Sequence, residues 1–171
     1  MRVVDAFCGT GGWSAGAIAA GCTPILGIDS DEKPLRLWAT NCPDGRAACA
    51  AIGTTDAVDW PAADADVHVH LSPPCTSLSK ARAGSATATS VAAALDAVRW
   101  CLDLVLAKGY ASFSLENVAT PAVQALVAEY TQRHPGRIAA VVLDAADYST
   151  ASNRVRLIVS TPGVVRRLKE M

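Results

Sequence analysis

The sequence predicts an α/β chain with a Rossmann-like, doubly wound, mostly parallel sheet and an antiparallel edge hairpin. Three observations carry that expectation. Short apolar runs alternate with helical stretches along the chain, a glycine-rich turn joins the first run to the first helix, and the last two runs follow one another directly. Strands connected through helices run parallel, whereas strands joined by a loop alone pair as antiparallel neighbours.

Arg2 to Phe7 is the first apolar run, and Phe7-Cys8-Gly9-Thr10-Gly11-Gly12 turns it into an alanine-rich helix over Trp13 to Ala20. Pro24 to Ile28 is the second strand, closed by Asp29-Ser30-Asp31. A helix follows over Glu32 to Thr40, with Pro34 tolerated in its first turn. Ala47 to Ile52 is a weaker strand, and Gly53-Thr54-Thr55-Asp56 turns toward the next, Val67 to Leu71. The segment Ala81 to Ser90 is rich in Ala, Ser, Thr and Gly without a period and reads as a mobile loop. Leu95, Val98, Leu102 and Val105 recur at helical spacing and predict a helix over Val91 to Ala107, stopped by Lys108-Gly109. Tyr110 to Leu115 is a strand ending in Glu116-Asn117-Val118, Pro121 to Arg133 a helix, and Ile138 to Leu143 with Val155 to Ser160 the hairpin pair.

With 171 residues, 51% of them apolar, the expectation is a single domain over residues 1–171. No apolar run approaches 18 residues and Met1-Arg2-Val3-Val4-Asp5 is not a signal peptide, so the expected location is cytoplasmic or nuclear rather than secreted. Cys8, Cys22, Cys42, Cys49, Cys75 and Cys101 form no C-x-x-C and read as reduced thiols. His68 and His70 share a strand face and could imitate a zinc site with Cys75. The donor spacing is poor, and they read as strand residues, with no metal expected. A formal net charge of −1 argues against a chain that holds nucleic acid by bulk charge alone.

Chemistry concentrates at strand ends. Pro73 and Pro74 stiffen the backbone after the fourth strand and present Cys75 at its carboxyl end, where open α/β sheets place their sites. A nucleophile needs such a mount and a packing cysteine does not. Gly9, Gly11 and Gly12 allow a nucleotide-like cofactor to approach the backbone at a helix N-terminus. Asp29, at the end of the second strand, stands where a carboxylate accepts from ribose hydroxyls. Asp56 either accepts from an adenine amino group or is a plain surface or helix-capping aspartate. The third glycine of the dinucleotide fingerprint is missing, so S-adenosylmethionine fits better than NAD.

In this order, Asp5-Ala6-Phe7-Cys8-Gly9-Thr10-Gly11-Gly12, Pro73-Pro74-Cys75, Glu116-Asn117-Val118 and Arg154-Val155-Arg156 resemble the C5-cytosine DNA methyltransferases over residues 2 to 160. The resemblance implies the S-adenosyl-L-methionine-dependent methyltransferase form of the fold and methyl transfer to cytosine C5 in DNA. The target base would be flipped out of the duplex. It implies that the Cys75 thiolate adds to C6 and that Glu116 relieves charge at N3. A donating carboxyl must be protonated, a state that burial favours. The other reading of Glu116 is a cap on the next helix. By the same resemblance Arg156 holds the cytosine O2, and Arg154 braces the cysteine loop or a phosphate. Their other reading is a surface strand with alternating arginines. Phe7 and Pro74 line the cofactor, Ser79 approaches a phosphate, and Asn117 supports the cysteine loop.

The chain departs from the family pattern at Pro74-Cys75-Thr76, where the family has Pro-Cys-Gln, and at Ala151-Ser152-Asn153 before the arginines, where it has Pro-Gln. Family members continue into a target-recognition domain, an arginine-bearing segment and a closing helix. This chain instead ends in Val164-Val165-Arg166-Arg167-Leu168-Lys169-Glu170-Met171. The expectation is therefore the catalytic half of a split enzyme, with a second chain carrying the recognition domain, or else a self-sufficient minimal enzyme or a truncated one. Restriction-modification is one setting for such an enzyme. A cofactor-binding regulatory subunit and an RNA cytosine-5 methyltransferase remain the alternatives.

Overall fold

The computed structural model describes residues 1–53, 58–78, 87–148 and 150–170. The elements are β1 (Arg2–Ala6), α1 (Gly12–Ala19), β2 (Thr23–Asp29), α2 (Glu32–Asn41), β3 (Arg46–Cys49), β4 (Val67–Leu71) and α3 (Ala88–Lys108). There follow β5 (Ser112–Asn117), α4 (Pro121–Arg133), β6 (Ala139–Asp144), a 3-10 turn (Ala145–Tyr148), β7 (Val155–Ser160) and α5 (Pro162–Glu170). The seven strands lie in the order β3-β2-β1-β4-β5-β7-β6. β1 pairs parallel with β2 and β4, and β2 with β3, while β7 runs antiparallel to both β5 and β6. The sheet is mostly parallel and doubly wound, as expected, and the reversed strand β7 lies one place in from the edge strand β6.

The chain divides into two compact units, Met1–Ser72 with Leu104–Phe113, and Pro73–Asp103 with Ser114–Met171. In the first, β1 is buried from Val3 to Ala6 and β4 along its whole length. The alternation Val67-His68-Val69-His70-Leu71 suggests a strand with one wet face, yet both faces are covered. Trp13 from α1 stacks on the His70 ring at 4.3 Å and 2°, and lies 5.9 Å from that of His68. His68 Nδ1 sits 2.7 Å from Ser112 Oγ. Burial pushes His68 down to about 4 and His70 to about 3, so both imidazoles are neutral wall material at ordinary pH.

In the second unit one feature differs from expectation, and one element goes beyond it. Of the segment read as a mobile loop, residues 81–86 lie outside the described residues, but Ala88 to Ser90 already belong to α3. Thr87 and Ser90 exchange side-chain and backbone hydrogen bonds, Ser90 N to Thr87 Oγ1 at 3.1 Å and Thr87 N to Ser90 Oγ at 3.0 Å. This reciprocal cap supplies the start that apolar periodicity does not show. The basic end of the chain forms α5, an amphipathic helix that buries Val165. Among the described residues no helix is long and apolar enough to cross a membrane.

Candidate active site

The glycine turn belongs to the first unit. Cys8 N donates to Ile28 O (3.0 Å) and Gly11 N to Cys8 O (2.9 Å), folding the chain back on itself after β1. Phe7 adopts φ 63°, a left-handed conformation that a bulky side chain adopts only under strain, and strain of this kind gathers at functional sites. Gly9 (φ 52°) and Gly11 (φ 94°) take the same region without penalty. The space a Cβ would fill is open at Gly9 and Gly12, whereas at Gly11 it would press on Trp38. The N-cap of α1 is Gly11, which has no side chain to cap it, and of the first-turn N–H groups that of Ser14 faces the Asp5 carboxylate.

A buried hydrogen-bond chain holds this turn from below. Trp38 Nε1 donates to Ser14 Oγ (2.8 Å), and Ser14 Oγ donates to Asp5 Oδ2 (2.6 Å). Asp5 Oδ1 is buried without a partner, and desolvation pushes the Asp5 carboxyl up to about 6. Asp29 Oδ2 accepts from Gly9 N (2.8 Å) and its Oδ1 from Asp31 N (2.9 Å), so the carboxylate ties β2 to the turn. Each oxygen retains a lone pair for a ligand hydroxyl. The open glycine faces, the uncapped helix start and the half-exposed Asp29 together suit a nucleoside-bearing amino acid such as S-adenosylmethionine. Ser14 and Trp38 escaped the sequence reading, because their partnership with Asp5 links three separate elements and has no local signature. Asp56 lies outside the described residues.

The thiol belongs to the second unit. Pro73 is buried, Pro74 exposed and Cys75 half-buried, with Leu78 N closing a turn onto Cys75 O (2.9 Å). Asn117, the fully buried last residue of β5, donates from Nδ2 to Pro73 O (3.1 Å) and accepts at Oδ1 from Val118 N (2.9 Å). It clamps the base of the cysteine loop, the place the resemblance implies. Cys8 and Cys101, by contrast, are buried thiols that desolvation pushes far up, unsuited to act as nucleophiles.

Glu116 precedes Asn117 on β5 and meets two arginines from the β7 end. Its Oε1 lies 2.5 Å from Arg156 Nε and 3.7 Å from the Arg154 guanidinium. The Arg156 contact is an ion pair without the alignment of a hydrogen bond, since that Nε–H has no hydrogen-bond acceptor. Exposure grades across the trio, with Arg156 at 19%, Glu116 at 23% and Arg154 at 58%. Glu116 therefore does not cap α4, whose N-cap is Thr120, and Arg156 is not a plain surface residue. Ser79 lies outside the described residues.

A doubly wound sheet with its last strand reversed, a glycine turn after β1 and an acidic residue closing β2 define a methyltransferase fold. The sequence profile of the C-5 cytosine-specific DNA methylases matches residues 1–161, and the chain belongs to that family. No curated protein matches by sequence. Among solved structures, a prophage-encoded E. coli protein assigned as a DNA modification methyltransferase aligns with TM-score 0.68 at 19% identity, over 97% of this chain and 48% of its own. The S. pombe Dnmt2 methyltransferase aligns at 0.63 and 16%, over 94% of this chain and 49% of its own. A Pyrococcus abyssi tRNA (uracil-54, C5)-methyltransferase in complex with S-adenosyl-L-homocysteine aligns at 0.53 and 13%, over 93% and 33%. The chain spans about half the length of the first two.

Proposed function

We propose that the chain carries the catalytic centre for methyl transfer from S-adenosyl-L-methionine to C5 of a cytosine in DNA, with Cys75 as covalent nucleophile. What supports this reading is that Glu116 pairs with Arg156 and that Asn117 holds the Pro73 carbonyl two residues before Cys75, all within one compact unit. Phe7, Gly9, Gly11, Gly12 and Asp29 would hold the cofactor, which supplies an electrophilic methyl group on a sulfonium.

Cytosine C5 is a poor nucleophile. The Cys75 thiolate bonds to C6, and the displaced electron pair makes C5 electron-rich. Glu116 meets the charge arriving at N3 by hydrogen bonding or proton donation, while Arg156 fixes O2. The Arg156 to Glu116 ion pair would hold both groups in register before the base arrives. Once C5 carries the methyl group, the C5 proton passes to a solvent base, its bonding pair forms the C5–C6 double bond and Cys75 leaves C6 as a thiolate, which restores the aromatic ring.

The test is transfer of labelled methyl to duplex DNA and, separately, to transfer RNA, with 5-fluorocytosine substrates to trap the Cys75 adduct. Cys75→Ala should abolish transfer and adduct while S-adenosylmethionine binding persists. Normal turnover by that variant would refute the mechanism. Transfer restored only by a second chain with a recognition domain would identify the split form.

A further inference from the structure

Most exposed arginines on the helices are already paired with acids one turn away: Arg36 with Glu32, Arg99 with Asp96 and Arg133 with Glu129. Helix α5 is different. Val165 is buried and Val164 and Leu168 half-buried, while Arg166, Arg167 and Lys169 point outward and pair with no acid among the described residues.

The position of these cations follows from the path of the chain. β7 starts beside Arg154 and Arg156 and ends at Ser160, and α5 then turns back along β6 and β7. Its far end is tethered, because Tyr148 Oη donates to Leu168 O at 3.2 Å. Tyr148 closes the 3-10 turn after β6, where Ala145 N donates to Arg154 O (3.2 Å) and Arg154 N to Asp144 Oδ1 (2.8 Å). The Arg154 guanidinium in turn reaches Glu116. The far end of α5 and its three unpaired cations are thus tied to the β7 end that carries Arg154, with Asp144, Asp147 of the 3-10 turn and Glu170 of α5 as local acids among the described residues. In a chain of net charge −1, this placement matters more than the total.

We propose that Arg166, Arg167 and Lys169, continuing from Arg154, form a landing for the phosphodiester groups that flank the base presented to Cys75. The inference rests on the reading of that site as a nucleobase site. Phosphate contacts of this kind position a strand without reading its sequence, and each neutralised phosphate steepens the dependence of affinity on salt. DNA and RNA offer the same phosphodiester chemistry.

The test is fluorescence anisotropy of the full chain with labelled duplex DNA and single-stranded RNA over a range of potassium chloride. Replacing Arg166, Arg167 and Lys169 with Gln should flatten the slope of log affinity against log salt by about 2.7 for duplex and about 2 for single strands. For duplex that corresponds to roughly forty-fold between 50 and 200 mM salt. A control with Arg36, Arg99 and Arg133 replaced by Gln should keep the wild-type slope, and both variants should bind S-adenosylmethionine normally. Equal slopes in wild type and α5 variant would overturn the proposal, even if the Cys75 adduct forms. Binding to phosphatidylglycerol vesicles but to neither nucleic acid would overturn it as well. A flattened slope with no adduct on 5-fluorocytosine substrates, either alone or with a second chain carrying a recognition domain, would support the surface and refute the Cys75 reading.

Discussion

Gly27→Ala puts the packing under the glycine turn to a direct test. Gly27 pairs with Asp5 across β1 and β2, and its backbone is of ordinary hand, so only space is at issue. A Cβ there would fall inside the indole of Trp38, against Cε2 and Cδ2 and 2.7 Å from Cζ2. Carbon atoms sit about 3.5 to 4.0 Å apart in good contact, so the ring must retreat by roughly 1 Å. Trp38 is fully buried, and retreat breaks its 2.8 Å hydrogen bond to Ser14. Overpacking costs about 1 to 3 kcal/mol and a stranded buried donor about 1 to 3 more. For a chain of this length the sum lowers Tm by at least about 4 °C. Gly16→Ala, with open space at its Cβ position and a helical backbone, should instead gain about 0.5 to 1 kcal/mol. Urea and thermal unfolding of the two variants measure the contrast, and calorimetry with S-adenosylmethionine should show weakened binding only for Gly27→Ala. A Gly27→Ala chain within about 0.5 kcal/mol of wild type would refute the account of Trp38 as the floor of the turn.

Asn117→Ala should strand the Pro73 carbonyl and the Val118 N–H in a buried place, costing about 1 to 3 kcal/mol and reducing kcat far more than cofactor affinity. Separate measurement of stability, turnover and cofactor binding checks the split. Asp29→Ala should release Gly9 and weaken S-adenosylmethionine binding while leaving the thiol accessible to a labelling reagent, which titration calorimetry and alkylation rates report. Stability should fall as pH drops from 6.5 toward 4. His68 and His70 take up protons more readily unfolded, so stability present above 6.5 is lost as pH falls through their folded values of about 4 and 3. Asp5 acts oppositely, its contribution being present below 3.8 and lost as pH rises through about 6. At about 1.4 kcal/mol per unit, roughly 3 to 5 kcal/mol for each histidine outweighs about 3 for Asp5. Urea midpoints that stay flat or rise between pH 6.5 and 4.5 would contradict this.

The fold was legible because its signals are local. Glycine, proline and apolar runs punctuate nearly every element, and Pro121 to Arg133 and Val155 to Ser160 have the predicted boundaries. The start of α3 was missed because reciprocal hydrogen bonds between Thr87 and Ser90 decide it rather than apolar spacing. The two-sided burial of β4 has no signal in the pattern, for a different reason. Histidine reads as polar in a pattern, yet a neutral ring under a stacked tryptophan packs as an aromatic. At the site, Cys75, Glu116 and the arginines stood out by residue type at strand ends. The Asp5, Ser14 and Trp38 chain did not, since it exists only once β1, α1 and α2 have come together.

On the proposed reading the two units carry different ligand-binding residues, which gives the chain a genetic property. The glycine turn, Asp29 and their supports all lie in the first unit, while Cys75, Glu116, Asn117 and both arginines lie in the second. Lesions in the chain should therefore fall into two classes with opposite surviving ligands, one retaining the base-side chemistry without the methyl donor and the other retaining the donor without the thiol. Each ligand, by mass action, should slow the opening of amides chiefly in its own unit. Hydrogen exchange would then reveal which half of the reaction a given mutation has disabled.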